Sequence, residues 1–343
     1  MWVGLACLAL VSLVDAVMRH EKGITGDEPF YERMAEHPGG PHTFPYAYRV
    51  AVPWLVHILP FSHVAAFTLL AWLAIAAAAG ALYELLREFA VHWRLALALV
   101  LGFALSPPLL VVLLRHGRSI DPASVLVLIL GCLFIVRRQT PALAITTLIG
   151  VTVRESSLFL IPLAYAVWAQ TVFDRGALRD TATIGALPIV AYVALRTSIS
   201  AAGRQYIAGY TGPFLKARID IIRTALSGAT LGVELRRLAS AFGPLWLVAP
   251  LALPTLRFAR RGLVLVALCA LSMTFAYDWG RIIFLAAPVF YVAGGWALRD
   301  RRRLAVATVV ALLALDLGYA IYMQAYGVQH GIDTSVSHRV PVF

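Results

Sequence analysis

Charge is scarce in this chain. Only 14% of its 343 residues are Asp, Glu, Lys or Arg, against 60% hydrophobic, and that balance excludes an ordinary soluble domain. Cysteine is scarcer still. Cys7, Cys132 and Cys269 stand singly inside apolar runs, which excludes a disulfide framework and argues against a zinc site of paired thiolates. They read as packing residues. There is no low-complexity tract, no convincing internal repeat, no Asp-x-Asp in the first polar loop and no pair of histidines at metal-ligand spacing. The formal net charge is +11, but the surplus arginines fall in short clusters between apolar runs, as expected of loops facing anionic headgroups. Nucleic-acid binding is not expected.

What the chain has is apolar length. Residues 2–18 form the first run; no basic segment precedes it and no small-residue cleavage pattern follows, so a retained anchor is expected rather than a removed signal peptide. Further runs lie at 62–86, 94–114, 121–136, 140–153, 156–172, 181–199, 241–257, 262–277, 282–298 and 304–323. The expected fold is all-α, a polytopic transmembrane helical bundle of about eleven spans, with residues 1–343 as one transmembrane domain. The runs 140–153 and 156–172 are short and separated only by Arg154-Glu155, so they read as two spans or as one broken helix. Ser106-Pro107-Pro108 is expected to kink the run that contains it.

Residues 19–61 form a first long loop with two short amphipathic pieces. One follows Gly26-Asp27-Glu28-Pro29, where Pro29 suits a first helical turn and the two acids stand where side-chain oxygens cap free N–H groups. Capping or function could each explain them. The other, 49–60, is too short and too polar for a membrane span. A second long loop, 200–240, includes Pro213 to Gly228, where Phe214, Ile219, Ile222 and Leu226 alternate with Lys216, Arg218 and Arg223 as in an interfacial helix.

Arginine counts give an orientation. With the N-terminus cytoplasmic, the clusters at 87–94, 137–138, 175–179, 257–261 and 299–303 fall inside, and the short outer loops carry only Arg115, Arg118, Arg154 and Arg281. Asp27, Glu28, Asp121, Glu155 and Asp278 then gather on the outer side with those four arginines. Ionisable groups at a membrane boundary are costly unless paired or facing a wet cavity, so the gathering reads as a functional cavity. Each has a plainer reading. Arg154-Glu155 could close a hairpin as an ion pair, Asp278 and Arg281 could pair at a helix end, and Arg115 and Arg118 could anchor the interface.

Four pieces carry a resemblance. Gly26-Asp27-Glu28 with Tyr31, Tyr48-Arg49-Val50 with Pro53, Arg154-Glu155, and Asp278-Trp279-Gly280-Arg281 with Pro288 together resemble the GT-C superfamily of polytopic glycosyltransferases, specifically the bacterial polyprenyl-phosphate-sugar-dependent members. The resemblance implies an inverting glycosyltransferase in the bacterial inner membrane, with its site facing the periplasm or cell exterior. A sugar would pass from a polyprenyl-phosphate-linked donor to a hydroxyl on a lipid or glycan acceptor. It implies Asp27 as catalytic base, with Glu28 the alternative. Arg154 and Arg281 would bind the lipid phosphate, with Arg115 and Arg118 next; Glu155 would orient Arg154 or the acceptor, and Asp278 would hold Arg281. Tyr31 and Arg49 join the expected substrate-binding set. No metal or other cofactor is expected, and the surrounding lipids are the other partners. A transporter or flippase of lipid-linked saccharides is the alternative from another class, and a membrane glycan polymerase or ligase the alternative enzyme.

Overall fold

The computed structural model describes residues 2–17, 27–40, 42–43, 46–114, 117–199, 201–202, 219–220, 222–275 and 278–322. These residues fold almost wholly as helix, the state in which an apolar segment satisfies its own backbone hydrogen bonds without water. Four helices are long and apolar enough to cross a membrane: His63–Glu88, Arg175–Ser198, Trp279–Leu298 and Arg302–Ile321.

In chain order the helices used below are α1 (Trp2–Val17), α2 (Glu28–Glu36), α3 (Ala51–Ile58), α4 (His63–Glu88), α5 (Trp93–Ala104), α6 (Pro107–Leu114), α7 (Asp121–Arg137), α8 (Thr140–Val153), α9 (Leu160–Trp168), α10 (Arg175–Ser198), α11 (Gly228–Phe242), α12 (Arg257–Ser272), α13 (Trp279–Leu298) and α14 (Arg302–Tyr322). The apolar run 94–114 divides into α5 and α6 where Pro107 and Pro108 remove two backbone donors, and the Ser106 carbonyl accepts from Leu109 and Leu110 to start the second piece. Near 241–257 only short helical turns form, Leu245–Val248 and Ala249–Ala252. Of the expected interfacial helix at 213–228, residues 213–218 and 221 lie outside the described residues; 219–220 and 222–225 are helical.

The core is aromatic and centres on α13, whose apolar residues run all round its circumference. Phe242 stacks on Phe290 at 4.1 Å and on Phe284 at 5.6 Å, while Phe103 meets Tyr291 edge to face at 5.6 Å. A helix apolar on every face belongs in the middle of a bundle, and α4, α5, α7, α12 and α14 all pack against this one.

The ambiguous segment 140–172 is a hairpin. Arg154 is extended between α8 and a 3-10 turn at Glu155–Phe159. Beyond that turn the chain runs back along α7, because Leu160 sits where a Cβ on Gly131 would lie 2.4 Å from it and Trp168 Nε1 donates to the Ile135 carbonyl at 2.9 Å. Both arms lie against α7 and α10. Arg154-Glu155 is therefore the tip of two short arms rather than a break within one helix.

Polar side chains collect at the two ends of α7. At its C-terminal end Arg137 bonds Glu88 at 2.7 Å and Glu84 at 3.3 Å, and Arg257 reaches the Ala169 carbonyl at 2.8 Å. At its N-terminal end lie the α8–α9 tip, the start of α13 and the first long loop. A parallel pairing of His42–Thr43 with Ala201–Ala202 ties that loop to the chain after α10.

A carboxylate and guanidinium cluster at one end of the bundle

Asp27 occupies the N-cap position of α2 but makes no side-chain cap hydrogen bond. The capping explanation for this acid does not hold. Its carboxylate faces the bundle instead: Oδ1 accepts from the Tyr46 hydroxyl at 2.9 Å, and Oδ2 lies 3.4 Å from Arg281 Nη2. Tyr46 is held by Phe30, stacked on it at 4.5 Å, and by Tyr31, edge-on at 5.6 Å. Burial, and then the Asp27 charge, push the Tyr46 hydroxyl above its ordinary range, so it stays a donor.

Asp121 organises the other half. It is the first residue of α7, where the helix dipole favours a carboxylate, and Ser119 Oγ donates to its Oδ2 at 2.9 Å. Arg154 Nη1 binds its Oδ1 at 2.8 Å, while Arg281 binds its Oδ2 through Nε at 2.7 Å and again through Nη2. One buried carboxylate thus joins two arginines from distant parts of the chain. Asp278 adds a third acid to Arg281, with its Oδ2 3.6 Å from Nη1.

Arg154 and Glu155 do not pair with each other. Glu155 forms a two-pronged ion pair with Arg49, Nε to Oε2 at 3.1 Å and Nη2 to Oε1 at 2.7 Å. Arg49 Nη1 also donates to the Tyr31 hydroxyl at 2.9 Å. The structure departs here from the expectation that Glu155 orients Arg154; adjacent side chains at an extended residue point to opposite sides, so each finds its own partner. Arg49 is buried in this network, and a buried guanidinium is tolerable because Glu155 and Tyr31 answer its donors.

Glu28 and Arg118 sit to one side. Arg118 lies between two acids of α2, with Nε 3.2 Å from Glu32 and Nη1 3.8 Å from Glu28. The structure therefore brings Asp27, Tyr31, Arg49, Asp121, Arg154, Glu155, Asp278 and Arg281 into one network, with Glu28 and Arg118 on its flank. Arg115 lies outside the described residues.

Sequence reading passed over three members of this assembly. Tyr46 carried no signal beyond being one aromatic in a loop. Asp121 stood among the outer-side charges without a role. Glu234 is fully buried on the inward face of α11, where its Oε2 accepts from the Trp279 amide at 2.8 Å and its Oε1 from the Asp278 amide at 3.3 Å and from Arg237 at 2.9 Å. It clasps the turn that presents Arg281. That turn is tight: Asp278 has a positive φ of 69°, and a Cβ on Gly280 would lie 2.6 Å from the Arg237 carbonyl oxygen. The signal in the sequence was an acid at the inward register of an amphipathic helix, three residues from Leu231 and four from Leu238.

Chemically the cluster offers three part-exposed carboxylates, Asp27, Glu155 and Asp278, one buried carboxylate, Asp121, and guanidinium groups between them. Asp27 and Arg281 retain 32% and 28% of their side-chain exposure, whereas Asp121 retains 7%. No protein-family model matches the chain, and no curated protein matches it.

Proposed function

We propose that the chain is an inverting glycosyltransferase of the GT-C kind, using a polyprenyl-phosphate-linked sugar as donor and a lipid or glycan hydroxyl as acceptor. In this reading the helices form about eleven spans in a bacterial inner membrane, and the cluster faces the periplasm or exterior. The observation that carries it is Asp27. Its carboxylate caps nothing, is held at one oxygen by Tyr46, and stands at solvent beside Arg281.

The chemistry asks for these groups. A base must take the proton from the acceptor hydroxyl as its oxygen forms the bond to the anomeric carbon; Asp27 is part-exposed and held closely at one oxygen only, whereas both oxygens of the equally exposed Glu155 are bound by Arg49. The bond from that carbon to the phosphate oxygen breaks with its electron pair on the phosphate, a leaving group that needs no proton. Arg281 and Arg154 then hold the anion by charge-assisted hydrogen bonds, which strengthen as charge develops. Both guanidiniums carry carboxylate partners in the free protein, so donor phosphate binds by exchange. Arg281, the more exposed of the two, gives up part of its hold on Asp278 and Asp121. Attack from the face opposite the leaving phosphate inverts the anomeric configuration.

The test is transfer of radiolabelled sugar from a panel of synthetic polyprenyl-phosphate sugars by purified protein, with a membrane lipid and glycan extract as acceptor. Transfer that Asp27→Asn abolishes supports the reading. Donor binding with no transfer to any acceptor would instead favour a carrier of lipid-linked saccharides, and absence of donor binding would remove both.

A further inference from the structure

Helix α2 carries a second polar face toward its C-terminal end. Glu32 and Glu36 are four residues apart and project from one side of the helix, and His63, the first residue of α4, lies against them. One donor atom from each of the three lies within 4.8 Å of the other two. Two carboxylates so placed repel each other unless a cation stands between or beside them. Arg118 answers Glu32 at 3.2 Å and is shared with Glu28 at 3.8 Å. Among the described residues the side chains of Glu36 and His63 make no hydrogen bond or ion pair, with each other or with anything else. Three donors therefore converge from two separate elements without satisfying one another.

The backbones that present them are fixed. His57 Nδ1 lies 2.8 Å from the Ala35 carbonyl, locking α3 to α2, and α3 leads directly into α4. Preorganisation of this sort is what a metal site requires of its scaffold. The donor set, one imidazole nitrogen and two carboxylates, suits Zn²⁺ better than Mg²⁺ or Ca²⁺, which favour oxygen alone. Bonds of about 2.0–2.2 Å to a shared Zn²⁺ place the ligand atoms of a tetrahedral site roughly 3–4 Å apart. Small side-chain shifts reach that spacing from the one observed.

We propose that Glu32, Glu36 and His63 bind one divalent cation of the Zn²⁺ type, with water completing its coordination. The cation fastens the far end of α2 to the start of α4 and offsets the repulsion between Glu32 and Glu36. Its role is to brace the helix that begins beside Asp27, and the site stands whether or not the cluster at Asp27 transfers sugar.

The experiment uses the purified full chain in detergent, stripped with chelator and titrated with ZnCl₂ by calorimetry, then with CoCl₂ followed by visible absorption. MgCl₂ and CaCl₂ serve as comparisons. One equivalent of Zn²⁺ is expected to saturate the protein and raise its melting temperature, Mg²⁺ and Ca²⁺ to do neither, and Co²⁺ to show ligand-field bands. His63→Ala and Glu36→Gln should each weaken Zn²⁺ binding by about tenfold or more and remove the melting shift. His92→Ala, at the opposite end of the bundle, should change neither. Variants that melt like the stripped wild type yet lose Zn²⁺ support the site. Absence of saturable Zn²⁺ binding to wild type, or equal affinity in wild type, His63→Ala and Glu36→Gln, overturns it.

Discussion

Asp121 and Arg281 stand 160 residues apart in the chain, yet Arg281 Nε donates to Asp121 Oδ2 over 2.7 Å. The contact joins the N-terminus of α7 to the turn that opens α13. Because Asp121 also holds Arg154, this one carboxylate fixes both of the guanidiniums that the proposed reaction needs.

Asp121→Ala is accordingly expected to harm the fold before it harms catalysis. It takes the buried carboxylate from the 14%-exposed Arg154 and leaves Arg281 with only Asp27 and Asp278, and breaking a buried pair from one side costs about 3–5 kcal/mol. The measurement is thermal unfolding in detergent, with Asp121→Asn as the milder variant. Asn keeps one acceptor oxygen, so it should melt between Ala and wild type. Equal melting of all three would show that Asp121 is not what holds the two arginines.

Glu234→Gln should loosen the 278–281 turn. Gln offers one acceptor oxygen where Glu offers two, so part of the turn's amide bonding is lost and Arg237 faces a neutral group in place of a carboxylate, at a cost of about 1–3 kcal/mol. Amide hydrogen exchange across Asp278 to Arg281 should rise while α4 and α7 stay protected. Unchanged exchange in that turn would make Glu234 a packing residue only.

Tyr31 makes stability fall in alkali. Burial pushes its hydroxyl up to about 12, partly countered by Arg49, against an ordinary value of 10.0. The folded state therefore favours the neutral phenol. Stability from this group is complete below pH 10 and is lost as pH rises toward 12, by up to about 3 kcal/mol. Tyr31→Phe should be less stable at pH 8, having lost the bond to Arg49, but should decline less steeply above pH 10. Parallel melting curves for the two proteins across that range would remove the assignment.

Most helices were legible because apolar runs announce themselves by length, the run 241–257 with its short turns being the exception, and the division at Ser106-Pro107-Pro108 because proline cannot donate. Length and composition alone left the 140–172 segment open: the choice between a hairpin and a broken helix depended on where Trp168 and Leu160 pack, which no local pattern encodes. The site was legible by residue type and not by pairing. Arg154 and Glu155 are neighbours in sequence and each has a distant partner, Asp121 for one and Arg49 for the other. Asp27 was the reverse case: its position fits a helix cap, and only the fold directs its carboxylate to Tyr46 and Arg281. Glu234 escaped notice because a single acid in an amphipathic helix looks like a solvated one until the helix is docked.

Donor binding should depend on Arg281 more than on Arg154. Arg281 is the more exposed, at 28% against 14% for Arg154, and its Nη1 has only the loose 3.6 Å contact with Asp278 to surrender. Hydrogen bonds to charged groups are worth about 1.5–3 kcal/mol, so Arg281→Ala should raise the donor Kd by roughly 10- to 100-fold. Arg281→Lys keeps the charge but not the planar fork, and should fall between. Arg154→Ala should affect the melting temperature more than donor affinity, because it strips Asp121 of one of its two guanidinium partners. Titration of a fluorescent polyprenyl phosphate into wild type and the three variants separates these outcomes. A donor affinity that ignores Arg281 but follows Arg154 would move the phosphate to the hairpin tip, and one that ignores both would take it out of the cluster.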